Sequence, residues 1–95
     1  MKSIIDDLLY DTEKARLIYS FRRQVDVGPV LWNPQYHWTP WHSITIYKTK
    51  KGRYFEHDED ANKITPIEED AARRIIKKLD PDTYKKIFKE KVEEA

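Results

Sequence analysis

The chain has 95 residues, a formal net charge of +1 and no cysteine. This length holds one small domain, and the lack of cysteine excludes disulfides and thiolate metal sites. The balanced charge argues against both a strongly basic nucleic-acid binder and a wholesale acidic mimic of DNA. The N-terminus lacks the apolar core of a signal peptide, and no apolar run approaches the roughly 20 residues of a membrane span. We therefore expect a cytoplasmic protein.

The N-terminal quarter predicts short extended segments. Residues 8–10 are apolar and predict a short strand, and residues 11–15 predict the start of a helical turn. Residues 18–22 predict a second strand, because β-branched and aromatic types dominate there.

Residues 27–42 contain all three tryptophans and three of the five prolines. Proline punctuates regular structure, so this segment predicts an irregular loop. Large rings in so small a domain are expected to cover one face of its sheet, whereas tryptophan and tyrosine on a stiffened loop are also typical interface anchors. We predict both roles at once, core plug and binding surface. The partner-binding residues predicted here are Trp32, Tyr36, Trp38 and Trp41.

Residues 43–57 predict a β-hairpin. Residues 43–49 alternate with a period of two, a lysine-rich turn contains Gly52, and residues 54–57 form the returning strand. Cations beside aromatic rings are typical of contact with phosphate or acidic surface, although lysines at a hairpin turn are also ordinary solubilising residues. The contact residues predicted here are Lys48, Lys50, Lys51, Arg53 and Tyr54.

The acidic stretch after this hairpin raises the question of a metal site. Side-chain oxygens at residues 58, 60, 62 and 69 match positions 1, 3, 5 and 12 of an EF-hand loop. Lys63 stands where that loop needs glycine, so an Asp- and Asn-rich connection is the alternative, and the sequence leaves cation binding open. His37 and His42 lack the spacing of zinc ligands. We predict no metal site and no cofactor.

The C-terminal third, residues 65–92, predicts two helices. Thr65 reads as an N-cap, with Pro66 at the first helical position and Glu68 completing a capping box. The apolar stripe of this first helix is Ile67, Ala71, Ala72, Ile75, Ile76 and Leu79. A second cap-plus-proline pair, Asp80 and Pro81, opens a helix whose apolar edge is Tyr84, Ile87, Phe88 and Val92. The chain is therefore expected to be one α+β domain, residues 1–95. In it, a strand-rich part (residues 1–63) forms a small antiparallel sheet of two to four strands, and the two helices pack on one face of that sheet.

Three stretches carry a resemblance: LLYDTEKARLI (8–18), YKTKKGRYF (47–55) and ITPIEEDAARRIIKKLDPDTYKKIF (64–88). Together they resemble a group of small uncharacterised proteins from bacterial genomes, phages and conjugative elements. The shared motifs are turn and cap signatures and include no catalytic residue, and the Trp-rich segment departs from the group. By analogy, the resemblance implies a mobile-element protein that blocks host machinery, with anti-CRISPR inhibitors among the examples.

The functional expectation is a non-enzymatic interaction module. The chain has no nucleophile elbow and no phosphate-binding glycine loop. We expect Trp38 and Trp41 to anchor a protein or nucleoprotein partner, with the cations at residues 50, 51 and 53 steering the encounter. The most specific version is inhibition of host defence. The alternatives are a nucleic-acid-binding regulator that uses residues 47–55 and a metal-dependent or hydrolytic enzyme. Partner identity and oligomeric state stay open.

Overall fold

The computed structural model of the chain describes residues 1–89. Its elements are β1 Lys2–Ile5, β2 Leu8–Asp11, β3 Arg16–Gln24, β4 Pro29–Val30, β5 Asn33–His37, β6 Trp41–Lys48, β7 Tyr54–Asp58, β8 Lys63–Ile67, α1 Glu69–Leu79 and α2 Pro81–Phe88. A four-stranded antiparallel sheet has the order β3-β6-β7-β8, and the pairs β1–β2 and β4–β5 form two small sheets. The chain is thus α+β, as predicted. Val92 lies outside the described residues.

The predicted hairpin of residues 43–57 is confirmed as strands β6 and β7. The two strands pair from Ile44 opposite Asp58 to Lys48 opposite Tyr54. Gly52 has φ +88° in the turn between them. A glycine adopts this left-handed conformation without the steric cost that a Cβ brings, which is why the turn forms at this position.

The central sheet buries side chains on both faces, because adjacent residues of a strand point to opposite faces. The cluster on the helix side contains Ile46, Tyr54, Ala72, Ile76 and Tyr84. The cluster on the opposite side contains Tyr10, Phe55 and Ile64. The helices cover one face, as predicted. The β1–β2 hairpin covers the other face, which the sequence patterns did not predict.

The β1–β2 hairpin turns at Asp6 and Asp7, whose φ angles are 51° and 63°. Two positive φ angles in succession are typical of the tight turn that matches the twist of antiparallel strands, and aspartate tolerates this conformation. Beyond β2, the Asp11 carboxylate accepts the amide of Glu13 at 2.9 Å, and the Asp11 carbonyl accepts the amide of Ala15 at 3.0 Å. The helical turn predicted over residues 11–15 is present.

The first helix begins three residues later than predicted. Lys63–Ile67 is the edge strand β8, and α1 begins at Glu69 with Glu68 at its N-cap. Pro66 lies opposite Phe55 in that strand. Proline is tolerated at a sheet edge, so the sequence Thr-Pro suits an edge strand as well as a helix start.

The second helix begins where predicted. One Asp80 carboxylate oxygen accepts the Thr83 amide at 3.1 Å, and the other accepts the Thr83 hydroxyl at 2.7 Å. Tyr84 is buried, and Ile87 and Phe88 pack against the helix-side cluster. Within residues 1–89, no helix is long and apolar enough to cross a membrane.

The Trp-rich segment is not the irregular loop that we predicted. β4 and β5 form a hairpin, and backbone hydrogen bonds from Val25 to Pro40 and from Val27 to Trp38 connect it to the β3–β6 ladder. These bonds measure 3.0 and 2.9 Å. A two-stranded ribbon places both strands at an edge, where prolines are tolerated. We call residues 25–40 of this ribbon the arm.

The arm extends beyond the rest of the sheet. The last β6–β7 pair is Ile44 opposite Asp58, whereas β3 and β6 remain paired to Gln24 opposite Trp41 and the arm continues from there. Seven residues per strand correspond to roughly 20 Å of projection. The Cα radius of gyration is 15.6 Å, against about 12 Å for a compact domain of this length. The chain therefore presents the arm to its surroundings.

Candidate partner-binding site

The tip of the arm carries its two most exposed large hydrophobic side chains. Leu31 and Trp32 connect β4 to β5, and they are 95% and 87% exposed. No residue between 22 and 43 belongs to either core cluster of the described chain. The side chains of Leu31 and Trp32 therefore do not pack against the protein's own core.

The other aromatic residues of this segment are also exposed. Tyr36 and Trp38 are each 65% exposed, and Trp41, at the base of the arm, is 55% exposed. The predicted role as a core plug is therefore wrong for all three tryptophans. The reason is the ribbon itself, because a two-stranded arm has no third layer to bury its side chains against.

The exposed aromatic surface is large for so small a protein. A tryptophan or tyrosine side chain offers about 150–250 Å², so four such residues with these exposures present on the order of 500 Å². The largest apolar patch of a typical monomer covers about 300–600 Å², and a standard interface buries about 800 Å² per partner. The arm, together with Trp41 at its base, therefore supplies most of one interface.

The aromatic residues are distributed over both faces of the ribbon. The hydrogen bond between Val27 and Trp38 places these two residues on one face. Trp41 lies three positions further along the chain, which puts its side chain on the opposite face. A partner that contacts both rings must surround the arm, as a groove or cleft does.

A local network of hydrogen bonds orders the arm. One Asp26 carboxylate oxygen accepts the Gly28 amide at 2.9 Å, and the other lies 2.7 Å from Nδ1 of His37 on the facing strand. Gly28 has φ +120°, a conformation that favours glycine. The Gly28 amide first, and then the His37 ring, hold the pKa of Asp26 below its ordinary value.

Ionic hydrogen bonds fix the base of the arm to the central sheet. Arg23 donates two hydrogen bonds to the Glu56 carboxylate, at 3.1 and 2.8 Å. On the neighbouring strand, His42 Nδ1 lies 2.7 Å from Asp58 Oδ2. Both pairs link the ribbon to β7, and Glu56, His42 and Asp58 have little exposure to solvent. These pairs set the direction in which the arm leaves the sheet.

Asp58 also closes the β7–β8 turn, because its second oxygen accepts the amides of Asp60 and Ala61 at 3.0 and 2.9 Å. Burial raises the pKa of Asp58. The hydrogen bonds from Ala61, His42 and Asp60 outweigh burial, so the net pKa lies below its ordinary value.

Residues 1–89 contain one cluster of side chains that could ligate a metal ion, and Asp58 belongs to it. Ligand atoms of His42, Asp58 and Asp60 lie within 4.8 Å of one another. Asp60 accepts the Ser43 amide at 2.6 Å, and the other contacts are those of the turn just described. Turn formation accounts for this arrangement, so we assign no metal to it.

Residues 58–69 do not form the EF-hand loop that their spacing resembles. Asp58 ends β7, and the whole of β8 lies between it and Glu69 at the start of α1. Five residues of extended strand separate the two carboxylates by more than about 15 Å. One ion cannot bind both.

The β6–β7 turn carries the predicted basic residues, and three of them are available to a partner. Lys50, Lys51 and Arg53 are exposed and take part in no ion pair of the described residues. Tyr54 is buried in the helix-side cluster, so its predicted contact role is wrong. The ammonium group of Lys48 lies over the Tyr54 ring, with Nζ 5.4 Å from the ring centroid.

The structure separates the two halves of the predicted site. Trp41 begins β6 and Lys48 ends it. Seven steps along the strand place the aromatic and basic groups about 24 Å apart. They form two surfaces at opposite ends of the sheet instead of one continuous patch.

Two exposed apolar residues of the ribbon were not predicted as site residues from the sequence. They are Leu31 at the tip and Val27, which is 47% exposed. Their signal was weak, because an exposed aliphatic residue looks the same in sequence as a buried one. Only the strand pairing shows that residues 31–32 form the turn.

Comparisons with known protein families, with curated proteins and with solved structures found no match for this chain.

Proposed function

We propose that this protein is a non-enzymatic interaction module that docks its arm onto a protein or nucleoprotein partner. The observation that carries the proposal is the exposure of Trp32, Tyr36, Trp38 and Trp41 on one ordered ribbon. Rigid aromatic side chains lose little conformational entropy on binding and are enriched among the residues that dominate interface energies.

The charge of the arm indicates what kind of surface it recognises. Asp26 and His37 are the only ionisable residues among residues 25–40 apart from the phenol of Tyr36, and they contact each other. Affinity must then come from burial of apolar area, with little contribution from charge attraction. The partner surface is an apolar groove, and binding depends weakly on salt.

The finer version of this proposal is inhibition of a host-defence complex by a protein of a mobile element. It is supported by the resemblance of the three sequence motifs. A groove occupied by the arm is closed to the partner's own ligand, which is a simple physical route to inhibition.

The proposal is tested by affinity capture from the native cell with tagged wild type, Trp32→Ala and Trp38→Ala, with and without nuclease, and read by mass spectrometry. We expect a stoichiometric protein that survives nuclease treatment. Its recovery should fall at least about tenfold with either variant, as for central interface residues.

The matched control is Leu79→Ala. Leu79 is also an exposed apolar residue, at 50%, but it lies at the end of α1. Its substitution should leave recovery unchanged. Equal recovery with all four proteins, each confirmed to be folded by circular dichroism, would contradict docking through the arm.

A nucleic-acid-binding regulator is the second candidate, favoured by the exposed cations of the β6–β7 turn. It predicts partners that disappear on nuclease treatment. It also predicts binding to bare nucleic acid that weakens steeply with salt.

A further inference from the structure

The β1–β2 hairpin and the β6–β7 turn border an open cavity of about 390 Å³. This volume lies within the range of about 300–1,000 Å³ that is typical of small-molecule sites. Leu8 and Leu9 of β2 form part of its wall, and both are partly exposed. The cavity is at the end of β6 opposite to the arm, so a ligand bound in it does not contact the partner of the arm.

Four cations surround this cavity: Lys14, Lys50, Lys51 and Arg53. None of them takes part in an ion pair or a cation–π contact of the described residues. Asp7 and Asp11 are the acids of the lining, so the cations outnumber the acids by two to one. Uncompensated ammonium and guanidinium groups around an apolar wall attract an anion with an apolar body, and phosphate is the anion that such groups commonly bind.

The second observation is an unsatisfied acceptor. Asp11 is 5% exposed, and one of its carboxylate oxygens accepts the Glu13 amide. The other, Oδ2, is buried and has no hydrogen-bond donor. A buried acceptor without a donor is costly. Asp11 lines the cavity, so a ligand N–H that reaches its carboxylate would supply the missing donor.

We propose that this cavity binds one nucleotide whose base carries an amino group, with its phosphate on the four cations and its amino group on Asp11. Phosphate, a flat ring and an amino donor occur together in such nucleotides, of which the cytosine nucleotide is the smallest, and carboxylates are the side chains that accept from cytosine N4. Thymine presents a carbonyl oxygen at the same place, which Asp11 repels. This site rests on the second candidate function, the nucleic-acid-binding regulator, and names its ligand. It does not involve the arm.

The test is fluorescence anisotropy of the full chain with fluorescein-labelled dC10 and dT10, with unlabelled CMP as competitor. We expect dC10 to bind about tenfold more tightly than dT10, which is the discrimination of one good base contact. Millimolar CMP should displace dC10. Trp38→Ala should bind as wild type does, which separates this site from the arm.

Two variants probe the two halves of the site. Lys50→Gln with Lys51→Gln should weaken dC10 binding about tenfold and reduce the slope of log affinity against log salt by about 1.4, that is, about 0.7 for each lost phosphate contact. Asp11→Asn keeps an oxygen for the Glu13 amide and should abolish the preference for dC10 over dT10.

The matched control is Lys85→Gln with Lys86→Gln, which removes the same charge from exposed positions of α2. An equal loss of affinity in this control would overturn the site, because it would show unlocalised attraction. So would equal binding of dC10 and dT10, failure of CMP to compete, or displacement by a polyglutamate peptide as effective as that by CMP.

Discussion

Asp58 shows how one side chain can fix both a turn and the direction of the arm. Its two oxygens accept the amides of Asp60 and Ala61 and contact His42 at the base of the ribbon. One oxygen serves both amides, and the other reaches the imidazole. The acidic stretch that resembled a calcium loop is therefore a structural device of the fold.

The lowered pKa of Asp58 predicts a pH dependence of stability. Its folded-state pKa lies below the ordinary value of 3.8, so the stabilising effect is present above that value and is lost as pH falls through the folded pKa. We expect Asp58→Ala to lower the free energy of unfolding by about 1 kcal/mol at pH 7. Urea unfolding at pH 7 and pH 3 should show the gap to wild type narrowing in acid.

Glu13→Ala is the control for this measurement, because Glu13 is an exposed acid whose side chain makes no described bond. Its stability should follow wild type at both pH values. A gap for Asp58→Ala that stays constant from pH 7 to pH 3 would show that the charge of Asp58 contributes nothing.

At the scale of elements, the cap-plus-proline signal was right once and wrong once. Asp80 and Pro81 begin a helix, whereas Thr65 and Pro66 lie in the edge strand β8. The local sequence is compatible with both outcomes. Pairing of Pro66 opposite Phe55 in the sheet decides the second case.

The cap of α2 gives a prediction at this scale. Asp80→Ala removes both hydrogen bonds to Thr83 and should lower the melting temperature by on the order of 5 °C. Asp82→Ala is the matched control, since Asp82 lies in the first turn but does not cap it. Calorimetry of the two variants should separate them, and equal melting temperatures would argue against the cap.

At the scale of the whole molecule, the arm is an appendage to a separately packed body. Both core clusters are complete without any residue of the arm. We expect a chain in which Asn-Gly replaces residues 26–39 to unfold cooperatively, with a melting temperature within about 5 °C of wild type, because that dipeptide suits a two-residue hairpin turn.

The same shortened chain should lose the partner captured by the arm and keep the nucleotide site. Affinity capture measures the first property and the anisotropy assay the second, and circular dichroism checks that the shortened chain is folded. A shortened chain that fails to fold would show that the arm stabilises the body, and it would contradict the expectation that the body folds without the arm.

The sequence by itself determined the parts that depend on local chemistry. The alternation of residues 43–57 with a glycine turn predicted the hairpin, and the Asp80 cap predicted the start of α2, because these signals act within a few residues. The aromatic residues of the candidate site could be named for the same reason, by side-chain type and by the prolines around them.

Only the tertiary structure decided what those residues face. The exposure of Trp32 and the burial of Tyr54 depend on which layer lies above each ring, and that layer comes from distant segments of the chain. The sequence also could not separate the aromatic and basic groups by the length of β6, because their distance follows from strand pairing. Burial and distance are long-range properties, and short-range patterns do not fix them.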